Sequence, residues 1–155
     1  SLNLQMSTHF IFNALNNIQS VMILEGEKLA NEYITSFSKL LRGTLTISNT
    51  ENITISDEIT YLKAYTDLEN KRMNNRVEIF FKVEIEEDIL NVIKIPSMLL
   101  QPLIENSFMH GFYGRNISNK LIIKFTLVNK LLIVKIIDNG IGRAKSLKKS
   151  KNDPF

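Results

Sequence analysis

The chain has 155 residues, 44% hydrophobic and 23% charged, which suits one average domain or two small ones with a real core. Six Gly and three Pro exclude collagen, Pro-rich linkers and most disordered chains; zero Cys excludes disulfide scaffolds, thiolate metal sites and Cys nucleophiles; two His cannot supply a three-His centre. The net charge of +3 raises the question of nucleic acid, but Arg143, Lys145, Lys148, Lys149 and Lys151 crowd the last residues and account for it, so no direct nucleic-acid partner is expected. The longest apolar run, Leu131 to Ile137 with Lys135 inside it, is far short of the roughly 20 residues that span a bilayer. Ser1 to Thr8 has neither the basic nor the apolar part of a signal peptide, so the chain is expected to be soluble and compatible with the cytoplasm.

From Ser1 to about Leu24, Leu4, Ile11, Leu15, Ile18 and Met22 recur as one apolar stripe of a helix. Gly26 punctuates it. Lys28 to Leu45 reads as a second helix with Tyr33, Phe37, Leu40 and Thr44 on one face and Leu41 beside them. Two such helices form a hairpin that cannot enclose its own apolar stripes, and pairing with a second copy into a four-helix bundle is the simplest solution.

The polar stretch Ser48 to Asn52 marks a domain boundary. Ile53 to Ile55 predicts a strand, and Ser56 an N-cap with Asp57 and Glu58 in the first turn of a helix that runs to about Met73, with Ile59, Leu62, Tyr65 and Leu68 inward. Asn74 to Arg76 predicts a turn and Val77 to Ile85 a half-buried strand. A helix follows near Pro96, covering Leu99 to about His110, with Pro102 imposing a kink or a late start. Leu121 to Val128, the turn Asn129-Lys130, and Leu131 to Ile137 predict a hairpin of two buried strands, and Asp138 to Gly142 a flexible loop. The order is a helical hairpin, then β-α-β-α-β-β, with strands in pairs and helices on one face: an α+β sandwich.

Three places could carry chemistry. His9 lies two residues from Ile11, about 200° around the helix from the apolar stripe, where another molecule can reach it. Asn13 is one turn on and within reach of the imidazole, which is nucleophilic when neutral. Alone, His9 reads as an ordinary surface histidine. Glu105-Asn106 sets a carboxylate beside a carboxamide, a base beside a hard oxygen ligand of the kind Mg²⁺ takes singly, with phosphates and water completing its shell. Asn106 could also satisfy a nearby loop backbone. Asp138-Asn139-Gly140-Ile141-Gly142 ends a strand with a carboxylate able to accept from an exocyclic amine such as adenine N6, and with two Gly that admit close approach of a flat ligand; a plain turn has the same composition.

The joint pattern is more specific than its parts. Leu4-Gln5-Met6-Ser7-Thr8-His9-Phe10-Ile11-Phe12-Asn13-Ala14-Leu15-Asn16 resembles the H-box of LytS-like sensor histidine kinases. Pro96 to Gly111, with Gln101-Pro102-Leu103-Ile104-Glu105-Asn106-Ser107 at its centre, resembles the N-box of that family, and Asp138 to Gly142 its first glycine box. Tyr61-Leu62-Lys63-Ala64-Tyr65 with Glu69 and Arg72 is similar to the helix between them. The boxes stand in the family's order and cover essentially the whole chain.

The resemblance implies a two-component kinase core. Residues 1–49 would form the dimerisation and histidine-phosphotransfer hairpin, and 51–155 an ATP-binding domain of the GHKL type shared with gyrase. It implies His9 as phosphoacceptor, Asn106 as the Mg²⁺ ligand against the ATP phosphates, and Asp138 as the reader of adenine. Gly140 and Gly142 would line the nucleotide pocket, Glu105 would be the N-box acid, and His110 and Gly111 would lie near the phosphates. ATP and Mg²⁺ are the expected cofactors. A homodimer and a response-regulator aspartate are the expected partners. The chain would be the cytoplasmic portion of a bacterial inner-membrane sensor, its parent membrane-anchored.

Ser7-Thr8 stands where the family usually has Asn-Pro, which predicts a straighter helix ahead of His9. The chain ends at Asp153-Pro154-Phe155, where the family continues with a lid, a second glycine box and further strands, so a C-terminally incomplete domain is expected. The rival to a kinase is a non-catalytic dimerisation or interaction fragment, or a degenerate kinase.

Overall fold

In the computed structural model the elements run α1 (Leu2–Leu24), α2 (Glu27–Ser48), β1 (Asn52–Thr54), α3 (Ile55–Arg72), β2 (Val77–Glu84), α4 (Glu87–Leu90), β3 (Lys94–Pro96), α5 (Gln101–Asn106), a π-helical turn (Ser107–Gly111), β4 (Asn119–Val128) and β5 (Leu131–Asp138). The structure describes residues 2–112 and 118–141, and among their side chains all but those of 2–10, 46, 48 and 110. The class is α+β, helices followed by a mixed sheet. Contacts group the chain into two units: residues 1–72 with 88–99, and 73–87 with 100–155. Among the described residues, no helix is long and apolar enough to cross a membrane.

In the first unit, α1 and α2 form the expected hairpin, turning at Gly26, whose φ of 92° is a conformation that glycine adopts without strain. α2 buries Ala30, Tyr33, Phe37, Leu40 and Thr44, a seam of alternating three- and four-residue steps. α1 differs from the predicted stripe. Among its described side chains Ala14 is the buried one and Ile11, Ile18 and Val21 are half-buried, whereas Leu15 and Met22 are exposed and Leu4 lies outside the described side chains. α1 is apolar on two faces, and the face with the small Ala14 is the one that lets the backbones of the hairpin approach. Helix α1 runs unbroken through Ser7 and Thr8, as expected without proline.

α3 packs on α2 and buries Ile59, Tyr61, Leu62, Tyr65 and Leu68. Thr44 Oγ1 lies 2.8 Å from Leu40 O and 3.3 Å from the Tyr61 hydroxyl, giving the two helices a polar tie in an apolar seam. The N-cap of α3 is a correction. The strand ends at Thr54, whose Oγ1 accepts from Asp57 N–H at 3.1 Å, so Thr54 performs the capping assigned to Ser56 and the helix starts at Ile55. Pairing of β1 with β3 was also unforeseen: Ile53 sits opposite Ile95, both buried, and Ser97 Oγ donates to Thr50 O at 2.6 Å. β3 has three residues and α4 a single turn with none buried, both too short to show a period.

In the second unit the sheet order is β2-β4-β5, with β2 parallel to β4 and β4 antiparallel to β5. Asn74 and Asn75, both at φ 55°, make the predicted turn into β2. Asn129 and Lys130, at φ 50° and 65°, make the β4–β5 hairpin in the primed-turn geometry that suits strand twist. Leu121, Ile123 and Phe125 alternate on the buried face of β4, each worth about 1.5–3 kcal/mol of apolar burial. β5 departs from the expectation of a buried strand: as an edge it leaves Leu131 and Ile137 exposed. α5 starts late, at Gln101, with Pro102 in its first turn where a missing N–H costs nothing. At Ser107 it widens into the π-helical turn, after which Phe108 and Phe112 meet edge to face at 5.8 Å.

Candidate functional site

Asp138 closes β5 and is exposed, and the second unit gathers the site around it. Its Oδ2 accepts from Ser107 Oγ at 2.8 Å and its Oδ1 from Gly140 N–H at 2.9 Å. A carboxylate oxygen has two acceptor positions, so each retains one for a ligand while the group is held in one orientation. Ser107 is buried at the first position of the π-helical turn, a widened geometry that recurs at functional sites.

The far end of the same turn meets the glycine loop. A Cβ on Gly140 would lie 2.6 Å from Gly111 Cα, 2.7 Å from Asp138 Oδ1 and 2.8 Å from Gly111 O. Only glycine fits there. The space that a side chain on Gly140 would fill is taken by the backbone of Gly111. Ile141 N–H donates to Gly111 O at 3.3 Å, closing the junction.

Asn139 ties the loop to the start of β4. Its Oδ1 accepts from Lys120 N–H at 2.7 Å, its Nδ2 donates to Ser118 O at 3.0 Å, and its own N–H donates to Lys120 O at 3.2 Å. The stretch read as a flexible loop is, over residues 139–141, pinned at both flanks by hydrogen bonds.

The remaining sequence-predicted residues fall as follows. Glu105 and Asn106 are the last two residues of α5, half-buried and exposed respectively, directly before Ser107. His110 lies in the π-helical turn and His9 on α1, the side chains of both being outside the described set; Gly142 lies outside the described residues altogether. Among the described residues no group of three or more His, Asp or Glu could hold a metal. An exposed carboxamide such as Asn106 is suited to supply one oxygen to a cation whose other ligands come from phosphate and water.

Reading the sequence missed Ser107 and Asn139 as site-builders. Ser107 followed the singled-out pair Glu105-Asn106 directly, but nothing in the sequence joins it to Asp138 across 31 positions. Asn139 looked like half of a turn pair, whereas its side chain bonds main-chain groups on β4.

Comparison with known proteins adds a family. The histidine kinase family model matches residues 1–77. The sensor protein LytS of Enterococcus faecalis is 34% identical over 142 residues, covering 92% of this chain and 23% of that protein. LytS of Staphylococcus epidermidis is 32% identical over 143 residues, with the same coverage. The sensor histidine kinase/phosphatase LytS of Staphylococcus aureus is 34% identical over 148 residues, covering 94% of this chain and 24% of that protein. The chain thus spans about a quarter of the length of the relatives it matches.

Proposed function

The chain belongs to the LytS-like histidine kinase family, and from this we propose that it is core machinery of a two-component sensor kinase, which phosphorylates His9 from Mg-ATP and passes the phosphoryl group to a response-regulator aspartate. The observation that carries the reading is the junction Ser107–Asp138–Gly140–Gly111, which joins the N-box to the glycine box with the carboxylate held and exposed.

In this reading residues 51–155 are a GHKL-type nucleotide domain. Asp138 accepts the adenine amino group, Gly140 and Gly142 border the pocket, and His110 lies by the phosphates. Asn106 would supply one oxygen to Mg²⁺, whose charge would offset that of the phosphates during transfer. Glu105 orients Asn106 or the nucleophile. The His9 imidazole nitrogen bonds to the γ-phosphorus in line while the bond to the β-phosphate bridging oxygen breaks, and ADP leaves.

Residues 1–49 are the dimerising hairpin. Supporting this, α1 leaves Phe12, Leu15 and Met22 on one face 62%, 50% and 52% exposed, with Ile23 and Leu24 more exposed still. A second copy forming a four-helix bundle would cover them. The parent protein is membrane-anchored, with this portion in the cytoplasm.

The test is labelling with γ-labelled ATP and Mg²⁺. Acid-labile phosphate that disappears in His9→Gln is expected. A chain that binds Mg-ATP without acquiring label would favour the non-catalytic interaction module instead.

A further inference from the structure

The sheet β2-β4-β5 has a second face, the reverse of the one that carries Asp138 opposite the buried Leu121. Side chains directly opposite each other on paired strands share a face, so the register sorts this surface into rows. Phe80, Ile122 and Ile137 form one row, and Lys82, Lys124 and Lys135 form the next. Val128 and Leu131 close the face at the hairpin end. Lys82 and Lys135 are exposed and Lys124 is half-buried. The apolar neighbours are open too: Phe80 and Ile137 are 43% and 50% exposed, Val128 and Leu131 50% and 64%.

Neighbouring strands lie about 4.8 Å apart, and like charges set directly opposite each other weaken a sheet. One acid answers the lysine row: Glu84 Oε1 lies 2.9 Å from Lys124 Nζ. Among the described residues no acid pairs with Lys82 or Lys135. Glu78, on the same face, accepts from Ser118 Oγ at 3.0 Å. Lysine on an edge strand deters pairing with other chains, and β2 and β5 are edges. That use asks neither for Lys124 on the central strand nor for one row across all three. What offsets such a row is an anion laid along it, and the flanks decide which. A bilayer taking up both apolar flanks would trap the lysines between them among acyl chains, whereas a membrane-seeking surface keeps its lysines at the rim, within reach of headgroups. A phosphate backbone would leave the apolar flanks uncovered. A protein segment with acids along its middle and apolar side chains to either side covers both.

We propose that the lysine row Lys82–Lys124–Lys135, with Phe80 and Ile137 beside it, is a docking surface for an acidic protein segment that also carries apolar side chains. The surface does not depend on the function proposed above, because it lies on the face opposite Asp138.

The test uses the whole chain with Lys82→Gln and Lys135→Gln combined. Lys28→Gln with Lys39→Gln, at exposed positions of α2, removes the same charge elsewhere. The probe is a synthetic helical peptide of about 20 residues with a glutamate stripe bordered by leucines, beside the same peptide with glutamine for glutamate. Fluorescence anisotropy is expected to show saturable binding of the glutamate peptide, weakened by salt. Its Kd should rise about tenfold in the sheet variant and hold in the α2 variant. Amide shifts on binding should centre on Phe80, Lys82, Lys124 and Lys135. The melting temperature of the sheet variant should equal or exceed that of wild type, because repulsion is relieved. No binding of the glutamate peptide by wild type, equal Kd in the two variants, or equal binding of the glutamine peptide overturns the proposal. A lower melting temperature in the sheet variant also overturns it, since the row would then serve the fold. Vesicles of phosphatidylserine and phosphatidylcholine bound through this face in place of the peptide overturn it in favour of a membrane. Self-association that the sheet variant alone abolishes overturns it in favour of a second copy.

Discussion

Replacing Gly140 by alanine places a methyl carbon 2.6 Å from Gly111 Cα and 2.8 Å from Gly111 O, both backbone atoms that cannot swing aside. Either the loop stays and is overpacked, at about 1–3 kcal/mol, or it lifts away. Lifting breaks the Gly140 N–H bond to Asp138 and the Ile141 N–H bond to Gly111, each worth about 0.5–1.5 kcal/mol. Both routes predict a loss of about 1–3 kcal/mol from the second unit. Gly111→Ala is the matched control. Its Cβ would meet nothing closer than 3.5 Å, and its φ is not in the left-handed region, so a change within about 0.5 kcal/mol is expected. Urea unfolding of the two variants beside wild type reads the difference. Equal stability of Gly140→Ala and wild type, or equal loss in both variants, would refute the packing argument.

Two further predictions follow from named contacts. Ser107→Ala removes the donor that orients Asp138 Oδ2 and should weaken Mg-ATP binding about fivefold, with little change in melting temperature; calorimetry gives both the affinity and the check on folding. Burial, chiefly, raises the Tyr33 pKa above its ordinary value of 10.0. The folded state then keeps a proton that the unfolded state loses, so stability from this group is intact below about pH 10 and declines as pH rises from there toward the folded pKa. Tyr33→Phe should abolish that part of the alkaline decline, and ultraviolet titration should lose a late-ionising tyrosine in that variant.

What was legible in the sequence was local. The α2 seam of Tyr33, Phe37, Leu40 and Thr44 follows from helical spacing, and Gly26, Pro102 and the Asn129-Lys130 turn are set by the φ each residue allows. What was missed depends on partners distant in sequence. Whether Ala14 or Leu15 turns inward depends on how closely α2 approaches, since both faces of α1 are apolar. The parallel β2–β4 pairing joins segments separated by α4, β3 and α5, and no local pattern encodes it. Thr54 and Ser56 are both able caps, and the choice was made where β1 ends against β3. At the site, Asp138 and Gly140 were readable as a glycine-box motif, but the reason for Gly140 was not. It faces Gly111 across a widened helical turn, and a π-helical turn has no signature in the order Ser107-Phe108-Met109-His110-Gly111.

The central claim is that the junction around Asp138 is a nucleotide site. Calorimetric titration of the chain with Mg-ATP, in parallel with Asp138→Asn, tests it most directly. Saturable binding by the wild type that vanishes in the variant is the predicted result. Equal binding in both proteins, or no binding by a folded wild type, would contradict the account.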